Sequence, residues 1–172
     1  TGYGAKTPDD ILNLYYWSGK NTVRNSDLSI LSIKDGGWGD GYGAYSIGAN
    51  LNIFDNTKIS NVTYSGIVAN EYASVSYING TVVNSNRFGV YSHSNKGGII
   101  NVENSTMNTT EAVFLIKSAG GGFGPNSTMV DVADSKLNNT GNGVILLLMD
   151  NDDPGRGSAV YAEDGKTQID QK

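Results

Sequence analysis

The residue types that perform most enzymatic chemistry are few in this chain and lie far apart. His93 is the only histidine, and the chain contains no cysteine, which excludes thiolate catalysis, disulfide bonds and cysteine-based zinc sites. To act as a general base, His93 would need a carboxylate or a lysine brought to it by the fold. The alternative, which we favour, is a solvated position at the end of an apolar run.

Three carboxylates lie close together near the C-terminus, at Asp150, Asp152 and Asp153. Clustered carboxylate oxygens are ligands that calcium prefers, so these residues form the candidate metal site, with calcium as the candidate cofactor. The segment lacks the closing glutamate of an EF-hand loop. We therefore expect a solvated acidic turn and no cofactor, with calcium bound at these residues as the alternative.

Three aromatic residues stand in glycine-rich segments that interrupt the surrounding pattern. Trp38 and Tyr42 lie in KDGGWGDGYG (34–43), and Phe123 lies in SAGGGFGPNS (118–127). Aromatic rings on loops can stack on sugars or anchor a protein partner, which makes these three the candidate ligand-binding residues. The alternative is that the rings pack against the protein itself.

The composition limits the kinds of partner and of structural element that this chain can have. The chain has 172 residues, a formal net charge of -5 and 12 scattered lysines and arginines, so we expect no nucleic-acid partner. Its strongest apolar run, GVILLLMD (143–150), is shorter than the about 18 residues of a membrane-spanning helix. With 23 glycines and 17% charged residues, the chain is typical of a single domain built from turns and short strands.

A repeated phrase organises the middle of the chain. Each unit has an alternating strand, an Asn or Asp, one lone aliphatic residue three positions later, and a second apolar run. The units are LNIFDNTKISNVTYSGIVAN (51–70), SVSYINGTVVNSNRFGVYSH (74–93), INVENSTMNTTEAVFLI (100–116) and MVDVADSKLNNTGNGVILLL (129–148). An earlier, stretched copy begins at VRNSDLSILS (23–32), which makes about five units.

These units predict a β-solenoid, because they hold too many β-branched and Asn residues for the helices of other repeat proteins. Each unit would be one coil of short strands, stacked on its neighbours at roughly 4.8 Å. The Asn or Asp (Asn56, Asn79, Asn104, Asp134) should then turn the chain in a left-handed conformation. The lone aliphatic residues should form one inward column: Ile59, Val82, Met107 and Leu137.

The stretch GTVVNSNRFGVYSHSNKGGIINVENSTMNTTEAVFLI (80–116) resembles right-handed parallel β-helices of the pectate-lyase-like class. The likeness is to pertactin-like passengers and gut bacterial surface proteins, and it covers about residues 43–150. It implies a right-handed parallel β-helix of a bacterial surface protein. The catalytic blocks of the enzymes in this class are missing, since the chain has only three arginines (Arg24, Arg87, Arg156) and the SHS around His93 matches no hydrolase motif.

The chain ends fall outside the repeat. Residues 1–20 are expected to form an N-terminal cap or an extra coil, because TPDDILNLYYW (7–17) has a helix N-cap at Thr7 and an apolar face. The cap would be a short amphipathic helix, and the extra coil would place a strand there. Residues 21–160 are predicted to be the parallel β-helix, and residues 161–172 a polar tail.

We therefore expect an all-β, right-handed parallel β-helix of about five coils. Its predicted role is that of a non-catalytic, adhesin-like module, extracellular or on the cell surface, contacting a glycan or a protein through its loops. One alternative is a polysaccharide lyase or hydrolase, and another is a self-associating filament subunit. Six N-glycosylation sequons are present, which an Asn- and Thr-rich repeat also produces by coincidence: Asn61, Asn79, Asn104, Asn108, Asn126 and Asn138.

Overall fold

The computed structural model of the protein describes residues 12–15, 20–29, 41–47, 51–70, 74–93, 98–118, 128–141, 143–150, 153–154, 160–162 and 168–171. Within these ranges the secondary structure consists of strands, and none of the described residues is helical. The strands are β1 (Leu12–Tyr15), β2 (Lys20–Arg24), β3 (Asp27–Ser29), β4 (Tyr42–Ile47), β5 (Leu51–Asp55), β6 (Lys58–Val62), β7 (Ser65–Asn70), β8 (Ser74–Asn79), β9 (Val82–Ser85), β10 (Phe88–His93), β11 (Gly98–Glu103), β12 (Thr106–Thr109), β13 (Ala112–Ser118), β14 (Thr128–Ala133), β15 (Lys136–Asn139), β16 (Val144–Asp150), β17 (Asp153–Pro154), β18 (Val160–Ala162) and β19 (Gln168–Gln171).

The strands form three sheets that the chain visits in turn. Sheet A has the order β1-β4-β7-β10-β13-β16-β17, sheet B the order β18-β14-β11-β8-β5-β2, and sheet C the order β19-β15-β12-β9-β6-β3. From β1 to β16 every third strand is a neighbour, while β18 and β19 pair with β14 and β15, and all pairings are parallel except that of β16 with β17. The chain therefore winds as a parallel β-helix, as predicted. Coils 1 to 5 are β2–β4, β5–β7, β8–β10, β11–β13 and β14–β16.

The chain ends add strands to this helix. Leu12–Tyr15 is a strand that pairs in parallel with β4, so the expected capping helix is wrong for these four residues and the alternative strand is found. Its residues Leu12, Leu14 and Tyr15 satisfy a sheet edge, which an isolated short helix would leave open. In the segment predicted as a polar tail, β19 pairs with β15.

One column of aliphatic side chains fills the interior beneath sheet C. Its members are register partners in successive coils, and the structure places Leu28, Ile59, Val83, Met107 and Leu137 there. Ile59, Met107 and Leu137 are fully buried, which confirms the predicted inward column for these three. Val82 was the wrong choice in coil 3, because it is 37% exposed whereas its neighbour Val83 is fully buried.

The reason for this error lies at the bend between sheets B and C. Asn25, Asn56, Asn104 and Asp134 have positive φ angles of 46° to 50°, as predicted for the turn position. In coil 3 this position belongs to Gly80 (φ 55°), and Asn79 is the last residue of β8. Glycine adopts this conformation without a Cβ penalty. Taking Asn79 as the turn residue therefore moved the predicted register of coil 3 by one residue.

A second column at the same bend consists of buried hydroxyl groups. Thr57, Thr81, Ser105 and Ser135 each donate a hydrogen bond to the carbonyl two residues earlier, at 2.7 to 3.1 Å. The Thr81 backbone N–H donates to Ser105 Oγ, and the Ser105 N–H to Ser135 Oγ, both at 3.1 Å. These bonds satisfy backbone groups that a bend would otherwise bury without partners.

Candidate functional site

The outer surfaces of the three sheets differ in chemistry. On sheet A, alternate residues divide between the interior and a second, outer cluster of buried apolar residues. Ala44 and Ile67 face the interior, whereas Tyr45 and Val68 belong to the outer cluster. The outer face of sheet A is thus buried, which leaves sheets B and C to offer surfaces to other molecules.

Tyr42 belongs to this outer cluster. Its ring is fully buried and lies 5.0 Å from the ring centroid of Tyr45 and 5.4 Å from that of Tyr64. Tyr64 in turn meets Phe88 edge to face at 5.3 Å. Of the three candidate ligand-binding residues, Tyr42 is the first residue of β4, and its ring therefore packs against the protein itself.

Arg87 and Glu111, from successive coils, form a charged pair at the edge of this cluster. Arg87 Nε and Nη2 donate to the two Glu111 carboxylate oxygens at 2.6 and 3.0 Å. The guanidinium carbon also lies 4.8 Å from the Tyr64 ring centroid and 5.1 Å from that of Phe88. The bond to Glu111 raises the pKa of Arg87, and burial raises the pKa of Tyr64.

A groove with a volume of about 380 Å³ runs beside this pair, along the corner where sheet C turns into sheet A. We call it the corner groove; it is lined by residues 61–63, 84–86, 108–110 and Thr140, which come from coils 2 to 5. The lining consists of Asn, Ser and Thr with Val62, and none of these residues is charged. The groove therefore offers neutral hydrogen-bonding groups at the same place in successive coils.

The sequence forms this corner through one irregularity and a series of backbone bonds. In β6 the register with β9 shifts between Ile59 and Val62, and Asn61 has a positive φ of 57°. On the following coils the Asn86 N–H donates to the Val62 carbonyl at 2.7 Å. The Thr140 N–H donates to the Thr109 carbonyl, also at 2.7 Å. The corner backbone is thus tied from coil to coil and holds the lining residues in place.

Asparagine side chains form a ladder along one wall of the groove. Asn108 Nδ2 donates to Asn84 Oδ1 at 2.7 Å, and Asn138 Nδ2 donates to Asn108 Oδ1 at 2.6 Å. Asn86 is exposed, and the described structure gives its side chain no hydrogen bond. The ladder fixes the amides of Asn84 and Asn108, while Asn86 keeps a complete amide for a ligand.

Below this wall, two hydroxyl oxygens remain without partners among the described residues. They belong to Thr63 and Thr109, both of which line the groove. Buried hydroxyl groups are normally hydrogen-bonded, to protein or to water. Both oxygens are themselves buried, so the groups that the groove offers to a ligand belong to its exposed lining residues, such as Asn61 and Asn86.

The structure places the other predicted site residues as follows. Asp150 and Asp153 are register partners in the antiparallel pair of β16 and β17, so their backbones are adjacent. Asp152, Trp38 and Phe123 lie outside the described residues. Among the residues described, no group of three or more His, Asp or Glu side chains converges as metal ligands would. The calcium and loop-aromatic predictions stay predictions.

His93 is the last residue of β10 and pairs with Asn70 and Lys117 in sheet A. The corner groove was not among the predicted sites. A signal for it was present, because each repeat carries Asn or Thr just after its lone aliphatic residue. Recognising the groove required the correct register of coil 3 and the bulge in β6, which place these polar residues at one corner.

Comparison with known proteins gives no relative, since no protein-family model, no curated protein and no solved structure matches the chain. Within the described ranges, no helix has the length and apolar character needed to cross a membrane.

Proposed function

We propose that this chain is a non-catalytic, adhesin-like binding module that acts outside the cell or on its surface and binds a neutral glycan in the corner groove. The observation that carries the proposal is the uncharged lining of Asn, Ser and Thr, repeated over four coils. Amide and hydroxyl groups donate and accept hydrogen bonds, as sugar hydroxyls do, and they form no ion pairs. Such a lining favours a neutral polyhydroxylated ligand over an anionic one.

The repeat geometry supports an extended ligand. Coils stack at roughly 4.8 Å, so each polar group recurs at this spacing along the groove. A ladder of amides held by mutual hydrogen bonds loses little conformational entropy on binding, which favours affinity from weak individual contacts. The likeness of residues 80–116 to pertactin-like passengers and gut bacterial surface proteins agrees with an adhesive role.

The alternative of a polysaccharide lyase or hydrolase rests on the Arg87–Glu111 pair, whose members directly follow the groove residues Asn86 and Thr110 in the chain. Glycoside hydrolysis by the usual mechanism requires two carboxylates flanking the bond to be cleaved. Here one carboxylate is engaged by Arg87 through both of its oxygens. This arrangement favours a structural ion pair, so we rank the enzyme second.

A glycan array that includes neutral and uronic-acid oligosaccharides tests the proposal. Binding of a neutral oligosaccharide, followed by calorimetric titration with that same compound, is the expected result. Asn86→Ala should weaken the affinity about tenfold, which corresponds to about 1.4 kcal/mol. Lys136→Ala, an exposed position on the outer face of sheet C that does not line the groove, is the control and should bind like the unaltered chain.

Four results would count against this function. Binding confined to uronic acids would contradict the neutral lining, and equal affinity of the Asn86→Ala variant would move the ligand away from the groove. Turnover of a polysaccharide that is lost on Glu111→Gln would establish the enzyme instead. If the chain captures a protein and binds no glycan, its ligand is a protein, which is the other partner expected from the sequence.

A further inference from the structure

Sheet B carries an outer surface that neither the interior nor the corner groove uses. Its strands alternate strictly, so that the second and fourth residues of β2 and β5 are buried while the first, third and fifth point outward. The same alternation continues in β11 and β14. The outward positions form three columns that run across coils 1 to 5.

The centre of this surface is apolar. In coils 2 to 5 six of the eight outward positions of two columns hold large apolar side chains, namely Leu51, Ile53, Val75, Tyr77, Ile99 and Met129, and the other two hold Asn101 and Asp131. Tyr77 is 49% exposed and Met129 is 37% exposed. We call these six residues the sheet B patch. The other four members are partly exposed. A contiguous apolar surface that solvent reaches marks an interaction site in soluble proteins.

Coils 1 and 5 of the same surface carry opposite charges. In coil 1 the outward residues Lys20 and Arg24 flank Thr22, and in coil 5 the register partner of the Thr22 column is Asp131. Neither Lys20 nor Asp131 forms an ion pair within the described structure. The surface is thus basic at coil 1 and carries an acidic residue at coil 5, beyond which β18 adds one further strand to sheet B.

We propose that the sheet B patch is a dimer interface that binds a second copy of this chain face to face. A two-fold axis lying in the interface and parallel to the strands reverses the order of the coils in the second copy. Tyr77 then meets Tyr77 of the second copy, and coil 1 lies over coil 5. Sheets pack in this way at a separation of about 10 Å.

The charges fit this arrangement and favour a second copy over an unrelated partner. Asp131 of the second copy falls opposite Thr22, between the side chains of Lys20 and Arg24, and the symmetry forms this contact twice. Glu103 falls opposite Asp55, whose charge is already matched by Arg24 at 3.4 Å. A surface whose basic and acidic ends are exchanged by a two-fold axis is complementary to itself.

The other faces of the helix do not compete for this role. The outer face of sheet A is already buried, and sheet C carries its asparagine ladder and the corner groove. A dimer through sheet B therefore leaves the groove free in both copies. The dimer goes beyond the proposed glycan binding and does not depend on it.

Sedimentation velocity of the 172-residue chain, from micromolar to near-millimolar concentration, tests the interface. The expected result is a reversible monomer–dimer equilibrium that Tyr77→Glu shifts to monomer. Lys20→Asp and Asp131→Lys should each raise the dissociation constant at least about tenfold. The double variant should recover the original constant to within about threefold, because it exchanges the two charges across the interface.

Val82→Glu is the matched control, since Val82 is as exposed as Met129 but lies on sheet C. It should leave the dimer unchanged, and circular dichroism melting of every variant checks the fold. A monomer at all concentrations overturns the proposal. It is equally overturned by a dimer that Val82→Glu dissociates, or by a charge exchange that fails to restore what the single variants lose.

Discussion

Ile59 and Val83 are register partners in the adjacent parallel strands β6 and β9, and both side chains are fully buried. Val83 in turn pairs with Met107 of the next coil. A coil of this size has no core of its own, so each aliphatic side chain is covered by its counterparts above and below. The stability of each coil therefore depends on the register of its neighbours.

Val82 and Val83 are adjacent in β9, but Val82 is exposed on the surface whereas Val83 is buried in the interior. Val83→Ala should lower the free energy of unfolding by about 2 kcal/mol, because it removes two buried carbons and leaves a cavity. Val82→Ala should cost less than about 1 kcal/mol, which is the range of strand propensity at an exposed site. Urea unfolding of both variants gives the comparison. A larger loss for Val82→Ala would contradict the register.

Much of the architecture could be predicted from the sequence because the same pattern of strands and turns recurs in each repeat unit. The strand class, the number of coils, the turn position at Asn56 and the inward positions of Ile59, Met107 and Leu137 all follow from one recurring phrase. Coil 3 was misaligned because glycine and asparagine serve equally at a left-handed turn. Local sequence could not decide between Asn79 and Gly80 there.

The N-terminal segment shows a different limit. Leu12–Tyr15 carries helix-start signals upstream and apolar residues at helical spacing, yet it is a strand. The parallel edge of β4 supplies hydrogen-bond partners to these residues, and that tertiary pairing overrides a weak local propensity. The corner groove was missed for a related reason, since it exists only once four coils are stacked in the correct register.

The asparagine ladder should contribute measurably to stability. Asn108→Ala removes the donor to Asn84 and the acceptor for Asn138, and each lost bond is worth about 1 kcal/mol, so we expect a loss of about 2 kcal/mol. Lys136→Ala, an exposed position on the outer face of sheet C, is the control and should change the stability by less than about 0.5 kcal/mol. Equal effects of the two substitutions in denaturant unfolding would argue against the ladder.

The buried tyrosines of the outer cluster predict a loss of stability in alkaline solution. Burial raises the pKa of Tyr91 above its ordinary value, so the unfolded chain releases this proton at lower pH than the folded chain. The stabilisation is complete below about pH 10, the ordinary tyrosine pKa, and is lost as the pH rises toward the folded-state pKa. The free energy of unfolding should fall by about 1.4 kcal/mol per pH unit for each such group.

Tyr91→Phe should make the fall in the free energy of unfolding with rising pH shallower. The expected difference is the contribution of one group, about 1.4 kcal/mol per pH unit. Phe88→Leu is the control, because it alters packing in the same cluster without removing an ionisable group, and should lower stability equally at all pH values. The measurement is urea unfolding at a series of pH values from neutral to strongly alkaline. An unchanged slope in Tyr91→Phe would show that the side chain is not buried as described.

The most direct test of the stacking register uses a pair of introduced cysteines. The chain has no cysteine of its own that could compete in disulfide formation. Val82 and Thr106 are register partners on the outer face of sheet C, at the strand spacing of roughly 4.8 Å that a disulfide can span. Oxidation of the Val82→Cys/Thr106→Cys variant should give a cross-linked monomer, detected by mass spectrometry. Val82→Cys/Met107→Cys should remain reduced, because Met107 faces the interior. Cross-linking of the second variant in place of the first would contradict the register and, with it, the alignment of the groove.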